Sequence, residues 1–118
     1  MEVRSRWSAE AFTTLDGSTI RVLFDSAAGG AAEQSLAEAS LAPGQATDRH
    51  YHAASEEIYV VLEGGGEMDV EGDLREVGLG DAVLIPAGAW HQIRAGAKGA
   101  RFLCCCAPPY SDEDTFFA

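Results

Sequence analysis

Basic residues are scarce in this sequence: eight lysines and arginines stand against 19 acids, for a formal net charge of −11. A field of that sign repels nucleic acid and anionic lipid, so neither is an expected partner. Long apolar runs are missing too. The N-terminal "MEVRSRWSAEAF" lacks the apolar stretch of a signal peptide, and no segment approaches a membrane span, so a cytoplasmic protein is expected. Cysteine offers no disulfide framework, because the three cysteines are consecutive, Cys104 to Cys106. Neighbouring side chains on a strand point to opposite faces, so this block cannot converge on one zinc ion. Helix signals are few. Only "SAEAF" and the alanine-rich "SAAGGAAEQ" qualify, and Gly29 and Gly30 interrupt the second.

What is present is a chain of 118 residues, the size of one domain, with 47% hydrophobic residues, enough for a buried core. Short β-type runs dominate: Thr19 to Phe24, Ser35 to Leu41, Ile58 to Leu62, Glu67 to Val70, Ala82 to Ile85, Trp90 to Ile93 and Arg101 to Cys106. Breaks such as "APGQ", "EGGG", "EGD", "GLGD", "PAGA" and "GAKG" separate most of them. Short strands punctuated in this way predict an all-β sandwich or barrel. A single domain over residues 1–118 is expected, with a core barrel at about 18–107. The acidic, proline-broken tail 108–118, "PPYSDEDTFFA", is expected to lie outside the barrel, with Phe116 and Phe117 as candidates for docking on a partner subunit.

Histidine is rare, and its placement is the main chemical signal. Of three histidines, two fall in "RHYHAASEEIYVVLEG". If residues 50–52 are extended, His50 and His52 project to one face with Cα atoms roughly 6.5–7 Å apart, close enough for two imidazoles to share an ion. A turn through "AAS" returns the chain so that Glu57 can face the same interior, and His91 begins a returning strand after "PAGAW". Three imidazole nitrogens and one carboxylate oxygen leave positions open on a six-coordinate ion. That donor set suits one divalent transition metal ion, iron, manganese, nickel or zinc, rather than a closed thiolate zinc site.

At these residues the chain resembles a small single-domain cupin. The first motif of that family reads Gly44, "QATDR", His50, Tyr51, His52, "AASE", Glu57, "IYVVLE", Gly64, and the second reads Gly80, "DAVLI", Pro86, Ala87, Gly88, "AW", His91. The family pattern ends in an asparagine four residues after the histidine, where Ala95 stands here. That asparagine is not a ligand, so the metal set His50, His52, Glu57 and His91 is untouched by the departure. The resemblance implies an antiparallel jelly-roll barrel of six to ten strands, a metal inside it, a homodimer, and a small-molecule ligand. The interval to Gly64 and strand parity both select Glu57 over Glu56 as the ligand.

Parity also nominates Tyr59, Met68, Phe102 and Cys104 as pocket-lining residues, the Phe102/Cys104 face being expected inward near the metal, although Tyr59 and Met68 are equally compatible with plain core and free cysteine often packs as a small hydrophobe. Gln92 should face away from the metal, and Glu38 is a general-base candidate if its strand turns that face inward. Of the eight basic residues, only Arg21, Arg94 and Arg101 fall within strands, and none is clearly inward. A chamber without a base disfavours sugar phosphates and favours a small neutral or aromatic substrate. The expected function is a metalloenzyme of dioxygenase, decarboxylase, isomerase or cyclase type; the alternative is a non-catalytic small-molecule or metal-binding sensor barrel.

Overall fold

The computed structural model describes residues 1–27 and 30–118; Ala28 and Gly29, inside the alanine-rich helix candidate, lie outside the described residues. The described residues form nine strands: β1 (Phe12–Thr13), β2 (Thr19–Phe24), β3 (Ser35–Leu41), β4 (His50–His52), β5 (Glu56–Val70), β6 (Asp73–Gly78), β7 (Ala82–Ile85), β8 (His91–Ala107) and β9 (Thr115–Phe117). Two short 3₁₀ turns, Arg6–Ser8 and Asp112–Asp114, complete the described elements. Every strand pairing is antiparallel, in the order β1-β2-β3-β8-β4-β9, with β5 joining β8 to β6 and β7. The architecture is the expected all-β jelly-roll barrel.

The barrel is held by two strands longer than the sequence suggested. "EGGG" and "GAKG" read as breaks, yet β5 and β8 run through them for 15 and 17 residues. The reason is close backbone approach. A Cβ on Gly66 would collide with the carbonyl oxygen of Arg94, and one on Gly64, at φ 68°, with that of Gly99. Glycine lets these strands cross at bulges that bend the sheet instead of ending it. β6 was not anticipated, because "DLREVG" is exposed and does not alternate.

Alternation does set the inside of β5: Glu57, Tyr59 and Val61 are buried, while Glu56 and Ile58 face outward. The core gathers Ala39, Leu41, Tyr59, Met68, Ile85, Ile93, Ala95 and Phe102. The C-terminal tail departs from expectation. Its end forms β9, which pairs with β4 in the register His50↔Phe117, Tyr51↔Phe116 and His52↔Thr115. Phe116 stacks on Tyr51 at 5.1 Å between ring centroids, and Phe117 lies 5.7 Å from the His50 ring. These two aromatics dock on their own chain, covering the flank of a three-residue strand that would otherwise be a bare edge.

Candidate metal centre

The barrel topology brings distant histidines together. β4 pairs with β8 at one position only, and that pair is His50↔His91. Nitrogens of His50, His52 and His91 all lie within 4.8 Å of one another, and all three residues are buried. Glu57 enters from β5, its Oε1 3.3 Å from His52 Nε2 and 3.4 Å from His91 Nε2.

The outer nitrogens fix the tautomers. His50 Nδ1 contacts the carbonyl oxygen of Asp48 at 2.6 Å, and His91 Nδ1 contacts that of Ala89 at 3.0 Å. A carbonyl only accepts, so both Nδ1 atoms carry the proton and both Nε2 atoms present a lone pair. His52 Nδ1 lies 3.1 Å from Thr115 Oγ1, whose own proton goes to the Ser111 carbonyl at 2.9 Å. Thr115 therefore accepts, and His52 Nε2 is bare as well. Lone pairs on three nitrogens now face a carboxylate with no proton between them, and Glu57 Oε1 and His91 Nε2 are buried without a hydrogen-bond partner. Buried acceptors facing one another are costly unless a cation sits among them. The donor set fits a divalent transition metal.

The other carboxylate oxygen is occupied. Cys106 lies opposite Glu57 across β5 and β8 and donates its thiol to Oε2 over 3.2 Å. Burial alone would raise the Glu57 pKa; were the imidazoles of His52 and His91 to carry protons toward Oε1 in place of a cation, their hydrogen bonds and charge would outweigh burial and bring the carboxyl to about 2. Burial, reinforced by the Glu57 charge, pushes both Cys104 and Cys106 upward, so these thiols stay protonated. A nucleophilic cysteine is absent from the described site. Burial and the neighbouring His91 lower His50 below the ordinary imidazole range.

A cavity of about 730 Å³ opens onto this centre. His50, His52 and Glu57 contribute to its wall, as do Tyr59, Phe102 and Cys104. Met68 does not reach it. Register shifts along β5 after Val61 turn Met68 into the core beside Ile93, where it lines a separate cavity with Val70, Val77 and Val83. Glu38 is buried, but on the face away from the chamber, where its carboxylate receives Arg6 Nε at 2.8 Å and Arg101 Nη1 at 3.3 Å. That ion pair removes it as a general base. Gln92 also points elsewhere, donating to the Thr47 carbonyl at 2.8 Å.

Four neighbours of the site were not found in the sequence: Asp16, Cys106, Tyr110 and Thr115. Asp16 lines the cavity with Oδ2 3.9 Å from His50 Nε2, while its Oδ1 is held by the Ser18 amide and hydroxyl. Only Cys106 carried a usable signal, since it shares strand parity with Phe102 and Cys104.

A family profile described as a cupin domain matches residues 37–106. The chain is 44% identical over 105 residues to an uncharacterized protein of Methanocaldococcus jannaschii, MJ1618, covering 88% of this chain and 84% of that protein. Among solved structures, a single-residue variant of Streptomyces Pac13 with uridine superposes at a TM-score of 0.83 and 15% identity, over 100% of this chain and 91% of that one. Oxalate decarboxylase from Bacillus subtilis gives a TM-score of 0.82 at 23% identity, over 96% of this chain and 31% of the larger enzyme. At those identities the structural likeness is one of fold.

Proposed function

Because the chain belongs to the cupin family, we propose that it is a small-molecule metalloenzyme whose ion is held by Nε2 of His50, His52 and His91 and by Oε1 of Glu57. The observation that carries this reading is the set of unprotonated, buried acceptors aimed at one another. Iron, manganese, nickel and zinc all accept such ligands. A bound ion of this kind polarises a substrate oxygen or activates dioxygen. The remaining work falls to the chamber.

Its walls select the substrate class. Ile20, Val22, Phe24, Ala39 and Phe102 make most of the surface apolar, and no arginine or lysine lines it among the described residues. Carboxylates of Asp16, Asp112 and Glu113 line it instead. Such walls repel phosphates and free carboxylates and accept a small neutral or aromatic molecule. Tyr59 and Cys104, both kept protonated, are donors facing that molecule. Assembly as a homodimer is part of the proposal and is supported by Ile58 and Leu84, exposed apolar residues paired across β5 and β7; light scattering measures it.

Metal analysis of protein purified without chelators tests the first half of the proposal. Glu57→Ala should lose most of the metal and Glu56→Ala none of it; equal loss from both would refute the ligand set. Oxygen consumption and product analysis with catechols, diketones and organic acids test the second half. A loaded protein that turns over none of them yet binds one tightly is a sensor barrel, not an enzyme.

A further inference from the structure

We infer that the C-terminal segment 108–118 is a strap that sets the geometry of the metal-binding arm, with Thr115 the positioning residue for His52. This rests on the metal reading above and concerns residues outside the ligand set. β4 carries two of the four donors but is only three residues long, and a single pair joins it to β8. All three of its residues pair with β9. The partner that holds His50 and His52 in line is thus the end of the chain.

Three contacts give the strap its effect on the site. Thr115 accepts the His52 Nδ1 proton and thereby leaves Nε2 bare and the ring oriented. Asp114 receives the amides of Ala54 and Ser55 on its carboxylate, at 2.9 to 3.1 Å, and that of Ala53 on its carbonyl at 3.3 Å. Those amides form the turn between His52 and Glu57, so Asp114 fixes the spacing of a histidine and the carboxylate. Phe117 closes over the His50 ring. The strap is itself tethered to the barrel. The Tyr110 amide donates to Ser35 Oγ at 2.9 Å, Ser55 Oγ to the Pro108 carbonyl at 2.8 Å, and the Ala118 amide to the Arg49 carbonyl at 3.2 Å.

Cobalt(II) titration of the full chain, read by its visible spectrum and by chelator competition, tests the strap. Thr115→Val removes the acceptor at nearly constant volume and should weaken cobalt binding by about tenfold or more. Thr115→Ser keeps the hydroxyl and should stay within about threefold of wild type, with the wild-type spectrum. Asp114→Ala should weaken binding without replacing any residue that touches the ion. Wild-type affinity in Thr115→Val, or an equal loss in Thr115→Ser, would overturn the inference while leaving the metal site standing. If Thr115→Val does not fold, Asp114→Ala decides in its place: weaker binding supports the strap and unchanged binding overturns it. Failure of the wild-type protein to bind cobalt at all would bring down the metal reading and the strap together.

Discussion

Glu57 and Cys106 face each other across β5 and β8, and the Cys106 thiol donates to Glu57 Oε2. One carboxylate oxygen is thereby committed, and the other is left for the imidazoles. The pairing explains how one glutamate is both buried and aimed: its strand fixes the Cα, and the thiol fixes the rotation of the carboxylate. A protonated thiol is required for this, and burial together with the Glu57 charge keeps it protonated.

Removing that donor should loosen the carboxylate. Cys106→Ala is expected to weaken metal binding by about fivefold, the worth of one hydrogen bond of about 1 kcal/mol. Cys106→Ser restores a donor and should recover most of the loss. Isothermal titration with manganese(II) on the three proteins measures the difference, and equal affinities would show that the thiol is only packing.

Glu38 separates stability from the site. Its carboxylate is 4% exposed and receives two guanidinium groups, while Arg6 and Arg101 are each about a third exposed at the side chain. Solvent screening on the arginine side moderates the cost of breaking a buried pair, so Glu38→Gln should destabilise the fold by about 2 kcal/mol. Metal affinity should not change, because the carboxylate lies on the outer face of β3. Urea unfolding paired with metal titration checks both statements, and a loss of metal would place Glu38 in the chamber after all.

The cluster of His50, His52, Glu57 and His91 proposed to hold the ion was legible because the histidines are few and their intervals are constrained by strand parity and by the turn at Pro86 and Gly88. Parity also placed Tyr59, Phe102 and Cys104 on the cavity side and Glu56 outside. It did not show that Met68, though buried, faces a separate cavity beside Ile93, because parity fixes the face of a strand and not the position along it, and β5 shifts register twice before that residue. The continuous long strands were hidden for a related reason. Glycine marks a turn and a close backbone crossing equally well, and only the partner strand tells them apart. The contribution of the tail was illegible in principle. Thr115 meets His52 across 63 residues of chain, and neither "PP" nor "DED" signals a return to the barrel.

Those crossings make their own prediction. At Gly66 the neighbouring carbonyl of Arg94 belongs to the backbone of β8 and cannot rotate away as a side chain would. Gly66→Ala should cost about 1–3 kcal/mol through displacement of the strand, within the range of overpacked cores. Gly72→Ala, at a turn where nothing lies within 4 Å of a new Cβ, should cost less, and only through its φ of 85°. Thermal denaturation of the two variants compares them; a smaller shift for Gly66 would mean that β5 and β8 are separated there.

Acid should weaken the metal-free barrel in two successive windows. Burial and the adjacent His91 hold His50 below its ordinary value of 6.5. Between that value and its lower folded one, the unfolded chain binds a proton that the folded chain refuses, so stability falls as pH drops below about 6.5. Glu57 acts lower down. In the metal-free barrel, with the imidazoles of His52 and His91 protonated toward it, its carboxyl is depressed from 4.5 to about 2, against the opposing effect of burial. The stability it contributes is complete above 4.5 and is lost as pH falls toward 2, the same direction as for His50. Bound metal should shift the onset of the loss downward, because protons must displace the ion before they reach the histidines. Urea midpoints at pH 8, 7, 6, 5 and 4, with and without manganese(II), measure both effects. A metal-free midpoint that stays flat from pH 8 to 5 would mean that His50 titrates as freely in the folded barrel as in the unfolded chain.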